Sequence, residues 1–286
     1  MVLVTSSSQM KNTPTLLDQK ALRRYARRAL RFDPKDNYLA RRCGEELLDR
    51  LDLVSLKPDV ILDLGCGAGA EAELLRKKYP NSLVLGLDRV LGESSTRTET
   101  GWLPCVADCA QLPLRDNSVD LIFANLILPW VDVPKTLLEP ARVLKPGGLL
   151  VISTLGPDTL FELSEAWDSD ERPHVHGFQD MHNFGDALVQ AGFTEPVMDA
   201  EPIGLTYSDV VSLVRDLRQL GGTNAHVERR RSLTGKHRWQ GFVDRYKPLA
   251  RDNGRIRATF ELVYGVAWAR GAADGARESL RVSFEA

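Results

Sequence analysis

The sequence predicts an α/β fold built on a doubly wound, mostly parallel sheet. Two observations carry this. Short runs such as Val60-Ile61-Leu62-Asp63-Leu64 and Val119-Asp120-Leu121-Ile122-Phe123-Ala124-Asn125 are apolar on both faces, as strands covered on both sides are. Helical stretches separate them, and strands alternating with helices imply a parallel sheet with right-handed crossovers.

In chain order, residues 1–15 read as a disordered leader. Residues 16–54 form an N-terminal helical cap. In its first helix Leu22, Tyr25, Ala26, Ala29 and Leu30 recur at helical spacing, with Arg24, Arg27, Arg28 and Arg31 opposite. Asp33-Pro34 breaks that helix, and a second runs from about Tyr38 to Leu51. Residues 55–155 form the core: strands at 60–64, 82–88, 119–125 and 149–154, helices from Glu71 to Tyr79 and from Thr136 to Leu144. The turn Lys145-Pro146-Gly147-Gly148 stops the second of these helices. Over 156–258 the alternation weakens, with helices at 159–167, 181–191, 208–220 and 239–246 and a short strand at 196–198. A terminal strand over 259–270, expected antiparallel at a sheet edge, precedes a frayed tail at 271–286.

Composition narrows the function classes. The 286 residues are 43% hydrophobic and 27% charged, which suits a globular core. A net charge of -2 gives no field directed at nucleic acid. No apolar run approaches the roughly 20 residues that span a bilayer, and the start lacks the basic segment of a secretory signal. Cys43, Cys66, Cys105 and Cys109 show no zinc-type spacing, so buried reduced thiols, no metal and a cytoplasmic location are expected.

The chemistry concentrates after the first core strand. Gly65-Cys66-Gly67-Ala68-Gly69 lets a ligand approach the backbone, and the next helix offers free N–H groups. Asp88 ends the second strand, where a carboxylate accepts ribose hydroxyls. Both features would also suit a dinucleotide. The further series Asp63, Asp108 before Leu112-Pro113, Asn125-Leu126 and Pro146-Gly147-Gly148 resembles the class I S-adenosylmethionine methyltransferases over about residues 55–155. That resemblance implies a seven-stranded Rossmann-like sheet with S-adenosyl-L-methionine as cofactor. It implies binding by Asp63, Gly65, Cys66, Gly67, Gly69, Asp88, Arg89, Asp108, Cys109, Asn125 and Leu126.

The flanks propose the acceptor. The segments Ser153-Thr154-Leu155-Gly156-Pro157-Asp158-Thr159-Leu160, Arg215-Asp216-Leu217-Arg218, Gly221-Gly222-Thr223-Asn224-Ala225, Arg229-Arg230-Arg231-Ser232-Leu233-Thr234-Gly235 and Ala258-Thr259-Phe260-Glu261-Leu262-Val263-Tyr264-Gly265 occur in order. With the core they resemble the malonyl-acyl-carrier-protein O-methyltransferases of biotin synthesis over about residues 20–270. The resemblance implies methylation of the free malonyl carboxylate, with 156–258 forming the acceptor side. A carboxylate is already ionised near neutral pH, so no general base is needed. Acceptor-binding candidates are Arg172, His174, Phe32 and Trp130, although Arg172 could equally pair with Asp170 or Glu171, and His174 and His176 suit structural roles. An acidic carrier protein would dock on Arg24, Arg27, Arg28 and Arg31 or on Arg229, Arg230 and Arg231.

The resemblance has gaps. The family's Phe…Tyr pair falls on Tyr25 and Phe32, its carboxylate-clamping arginine falls on Gly177, and Pro129-Trp130 stands where Gln-Trp is common. Arg89-Val90-Leu91-Gly92-Glu93-Ser94-Ser95-Thr96 lacks the usual apolar character. These departures leave open a paralogue resembling the complex I assembly factors that hydroxylate an arginine, a methyltransferase with another acceptor, or a non-catalytic binding module.

Overall fold

The computed structural model describes residues 16–92, 101–167, 172–249 and 251–271. The expected leader and nearly all of the expected tail lie outside these, as do Asp170-Glu171 and Glu93 to Thr96.

The N-terminal cap comprises helices α1 (Gln19–Ala29) and α2 (Tyr38–Asp52), joined by a 3-10 turn at Pro34–Asp36. Asp18 caps α1 by accepting the Ala21 N–H, and Asn37 caps α2 through the Ala40 N–H, each satisfying an orphan donor. The core then alternates: β1 (Val60–Leu64), α3 (Ala70–Lys78), β2 (Leu83–Asp88), β3 (Leu103–Val106), β4 (Val119–Ala124), α4 (Val133–Val143) and β5 (Leu144–Leu155). The expected Lys145–Gly148 turn is absorbed into β5, where the β4–β5 register shifts. After it come α5 (Phe161–Ala166), α6 (Met181–Ala191), β6 (Phe193–Tyr207), α7 (Val210–Gln219), α8 (Lys236–Leu249), the two-residue β7 (Arg251–Asp252) and β8 (Arg255–Ala269).

The sheet order is β3-β2-β1-β4-β5-β8-β6, with β7 hanging on β8. Strands β1 to β5 pair in parallel, and β8 runs antiparallel between β5 and β6. A dinucleotide-binding sheet instead ends in the order 4-5-6. Two expectations are corrected here. The terminal strand is not at an edge, and the strand expected at 196–198 extends over 15 residues. Its Pro196 and Pro202, which hide it in the sequence, are tolerated because β6 is the edge strand. Strand β8 earns the interior position by burying both faces from Phe260 to Ala269.

Side chains alternate between two cores. Ile61, Phe123 and Val151 point to one side, where Leu47, Phe242, Tyr246 and Tyr264 pack; Leu62, Ile122 and Ile152 point to the other, against Leu137, Phe184 and Leu188. Truncating a buried ring such as Phe123 to alanine would cost about 3–5 kcal/mol. Helix α1 sits outside both cores, on a small cluster of Ala21, Leu22, Tyr25 and Ala225. Its hold on the body is partly ionic: Arg229 donates to Asp18 at 2.7 Å. No described helix is long and apolar enough to cross a membrane.

Candidate functional site

Strand order reverses between β2-β1 and β4-β5, and ligands bind in open sheets beyond the carboxyl ends at such a point. A cavity of about 530 Å³ opens there. One half is walled by the residues that follow β1 to β4: Gly65 to Ala68, Asp88 to Val90, Ala107, Cys109, and Asn125 to Ile127. The other half is walled by α1, the 3-10 turn, Trp130 and the end of α7.

The glycine loop is shaped by its neighbours. Gly69 has φ +86°, and a Cβ there would stand 2.2 Å from the Trp102 ring, so only glycine fits. Gly67 (φ +49°) differs, because a Cβ there would meet nothing within 4 Å: it borders open space that a ligand can fill. The Gly67 N–H donates to Asp88 Oδ2 at 3.1 Å, and the Val90 N–H to Oδ1 at 3.0 Å. Each carboxylate oxygen therefore keeps lone-pair capacity for a diol. Burial raises the Asp88 carboxyl, and these amides oppose it.

Beside Asp88 lies an acidic group that sequence reading missed. Glu71, in the first turn of α3, lines the cavity and accepts the Asn125 Nδ2–H at 2.8 Å. Asp63 lies behind it, 1% exposed, and its Oδ2 has no hydrogen-bond partner. Burial, then the charges of Glu71 and Asp88, push Asp63 well above the usual carboxylate range; burial also raises Glu71, against the Asn125 hydrogen bond. Asn125 is held in turn, its Oδ1 accepting the buried Ser153 hydroxyl at 2.7 Å. The same Ser153 oxygen accepts the Leu126 N–H at 3.0 Å. Leu126 has φ +52°, a strained value for a branched side chain, and such strain collects at functional turns.

This arrangement selects the sign of a ligand. A pyrophosphate would seat at the α3 N-terminus, but Glu71 and Glu73 occupy that turn and line the cavity. A cation is favoured there instead. Nor is there a thiol nucleophile: burial pushes Cys43 up to about 12, Cys109 up to about 11 and Cys66 higher still.

Of the candidate cofactor residues, Gly65, Cys66, Gly67, Asp88, Arg89, Cys109, Asn125 and Leu126 line the cavity. Asp63, Gly69 and Asp108 do not line it. Asp108 is joined to it through Arg89, which donates to its Oδ1 at 2.9 Å. Burial opposes the charge on Asp108, yet the Ala110 N–H and the Arg89 guanidinium hold its pKa below the ordinary value.

The acceptor candidates divide. Phe32 and Trp130 line the second half of the cavity, whereas Arg172 and His174 do not. Arg172 is exposed, and His174 stacks on Trp167 with ring centroids 4.3 Å apart, in the aromatic layer that includes Phe242. His176 is structural too: its Nε2 accepts the Ala225 N–H at 3.3 Å, and burial lowers its pKa to about 4. Tyr25 is buried in the α1 cluster, and Gly177 is exposed with open space about it. The cations that border the cavity are others, among them Arg23 and Arg41. Arg23 shares a stripe of α1 with Leu22, Ala26, Ala29 and Leu30, and has no ion-pair or hydrogen-bond partner among the described residues. Its neighbours in an arginine-rich helix concealed it. Spacing from the apolar Leu22 and Ala26 was the available signal.

The expected basic faces also divide. Arg24, Arg27, Arg28 and Arg31 are exposed and off the cavity wall. Arg229 is tied to Asp18 and to the His226 carbonyl, leaving Arg230 and Arg231 of the second run exposed.

Comparison with known proteins places these features in context. The family described as "Methyltransferase domain" matches residues 62–152. A malonyl-[acyl-carrier protein] O-methyltransferase from Gallionella capsiferriformans is 42% identical, the match covering 88% of this chain and 91% of the relative. A malonyl-[acyl-carrier protein] O-methyltransferase 1 from Coxiella burnetii is 40% identical, covering 91% of each chain. Among solved structures, YcgJ from Bacillus subtilis matches 79% of this chain and 98% of its own, with TM-score 0.56 and 17% identity. A protein titled a methyltransferase from Bacillus halodurans matches 79% of this chain and 99% of its own, with TM-score 0.54 and 16% identity. These last two share the fold alone.

Proposed function

The chain belongs to the malonyl-[acyl-carrier protein] O-methyltransferase family, and we propose that it methylates the free carboxylate of malonyl-acyl-carrier protein with S-adenosylmethionine as donor. The observation that carries the donor is the acidic first turn of α3, where Glu71 and Glu73 border the cavity beside Asp88. That wall repels a pyrophosphate and suits a cationic adenosyl ligand. When bound, S-adenosylmethionine supplies a methyl group on a sulfonium. Its transfer to a carboxylate oxygen leaves a methyl ester and S-adenosylhomocysteine.

The chain's own residues supply position and a dry site. Asp88 takes the ribose hydroxyls through the lone pairs its two amides leave. Gly67 gives the close backbone approach. The Ser153–Asn125 pair fixes the strained turn at Leu126, which lines the cavity. On the acceptor side Leu22, Ala26, Ala29, Leu30, Phe32 and Trp130 exclude water from the methyl path. The malonyl carboxylate needs a cation when it leaves water. Arg23, free of other partners on that wall, holds it in place of the family arginine that Gly177 replaces. The reaction needs alignment, not proton removal. The exposed arginines on the outer face of α1 offer an acidic carrier protein its landing surface next to the cavity mouth.

The test is growth. Expressed in a bacterium that lacks this methylation step, the protein should restore growth without biotin. A folded protein that binds S-adenosylmethionine yet restores nothing would reject the acceptor assignment.

A further inference from the structure

We infer that Glu71 makes the cofactor pocket read charge, so that the protein holds the sulfonium donor in preference to the uncharged thioether left after transfer. This rests on the cavity being the S-adenosylmethionine site. Three carboxylates from three elements meet at that end of the cavity: Asp63 of β1, Glu71 of α3 and Asp88 of β2. Asp63 is 1% exposed, with an Oδ2 that no donor reaches. No ion pair among the described residues includes any of the three; the nearby Arg89 pairs with Asp108 instead. Asp88 is engaged by two backbone amides and faces the ribose position. Glu71 lines the wall with only neutral partners, the Asn125 amide and its own backbone N–H.

A neutral hydrogen bond orients Glu71 without balancing its charge. A cation in the cavity would balance it, in a site where water is too scarce to screen the attraction. Burial raises both the Asp63 and the Glu71 carboxyls, and the charges of Glu71 and Asp88 raise Asp63 further, the mark of an acidic cluster that no ion pair balances. The donor and the spent cofactor share adenine, ribose and amino-acid groups. They differ by one methyl and one positive charge, so charge is the handle by which a protein can tell them apart. An acidic residue whose only task was to complement the α3 dipole would give stability but no such preference.

The experiment is calorimetry on the full chain, wild type and Glu71→Gln, with three ligands. These are S-adenosylmethionine, S-adenosylhomocysteine, and an analogue bearing an ammonium in place of the sulfonium. Glutamine keeps an oxygen for the Asn125 amide and removes only the charge. The variant should bind both cationic ligands about tenfold more weakly and the thioether within about twofold of wild type. Glu71→Asp, which keeps the charge, should retain the wild-type preference and guards against a glutamine variant that does not fold. Equal weakening of all three ligands, or an unmoved ratio with tight wild-type binding, would overturn the inference alone. A wild type that binds none of them would overturn the cofactor reading and the inference together.

Discussion

The two halves of the cavity are built differently. The cofactor half comes from consecutive strand ends, within 63 residues from Gly65 to Ile127, and its groups are held by short hydrogen bonds that involve backbone amides: the Gly67 and Val90 amides on Asp88, and the Leu126 amide on the Ser153 hydroxyl of β5. The acceptor half joins Leu22 and Phe32 near one end of the chain to Leu220 and Gly221 near the other, through side-chain packing. Its outer wall, α1, stands off the main cores and leans on the small Tyr25–Ala225 cluster and the Asp18–Arg229 pair. A half made from strand ends is specified locally; a half made from packed helices is specified only once the chain has closed.

The largest effect should fall on the cofactor half. Asp88→Ala removes both ribose contacts and should weaken S-adenosylmethionine binding about 100-fold, roughly 3 kcal/mol at about 1.5 kcal/mol per hydrogen bond to a charged group. Calorimetry checks this, and an affinity within about threefold of wild type would remove Asp88 from the pocket. Next comes the acceptor half. Arg23→Ala should raise KM for malonyl-acyl-carrier protein about tenfold, with cofactor affinity unchanged. Should both constants shift together, the two halves would not be separable in the way described.

A pH dependence distinguishes the halves more finely. Asp63 and Glu71 have folded-state pKa values raised by burial, so the empty protein binds more protons than the unfolded chain. Its stability should therefore decline as pH rises from the ordinary carboxylate range toward those raised values. Donor binding should tighten over the same window as the cluster sheds protons. The groups facing the cluster are Asp88 with its neighbour Arg89, the Cys66 thiol, which stays protonated, and the neutral Asn125. Binding measured by fluorescence across pH tests the sign, and an affinity that falls with rising pH would reverse the assignment.

The smallest effect concerns α1. Asp18 is lowered from 3.8 to about 2, chiefly by its hydrogen bond with Arg229. A depressed folded-state value means the contribution is present above 3.8 and lost as pH falls through about 2. Asp18 is half-buried and still reaches solvent, so screening keeps the gain small. Thermal unfolding of wild type and Asp18→Asn should differ slightly at neutral pH and converge in acid; a gap that widens in acid would discount the pair.

What the sequence made legible follows the same division. The loop from Asp63 to Gly69, Asp88 and Asn125 sit at strand ends whose positions a run of apolar residues dictates, so they could be read without the fold. Glu71 could not, because an acid in a first helical turn is ordinary until the Asn125 amide and the Asp63 carboxyl are seen beside it. Arg172 and His174 were misplaced for the opposite reason: sequence proximity to β5 says nothing about where the chain goes after α5. Arg23 was hidden among arginines that are all exposed along α1, and only the position of the cavity sets it apart from Arg24, Arg27 and Arg28. Strand β6 was mostly missed because its prolines argue against a strand unless it lies at an edge, and edge position is set by β8, some fifty residues later.

On the proposed reading, one cavity brings a charged methyl donor to a free carboxylate. Incubating the protein with S-adenosylmethionine and either malonyl- or acetyl-loaded carrier protein tests it most directly, with mass spectrometry of the carrier and quantitation of S-adenosylhomocysteine. The malonyl carrier should gain one methyl group with equal S-adenosylhomocysteine released, and neither should occur with the acetyl carrier, which has no free carboxylate. Methylation of both carriers, or of neither while the donor binds, would contradict that reading.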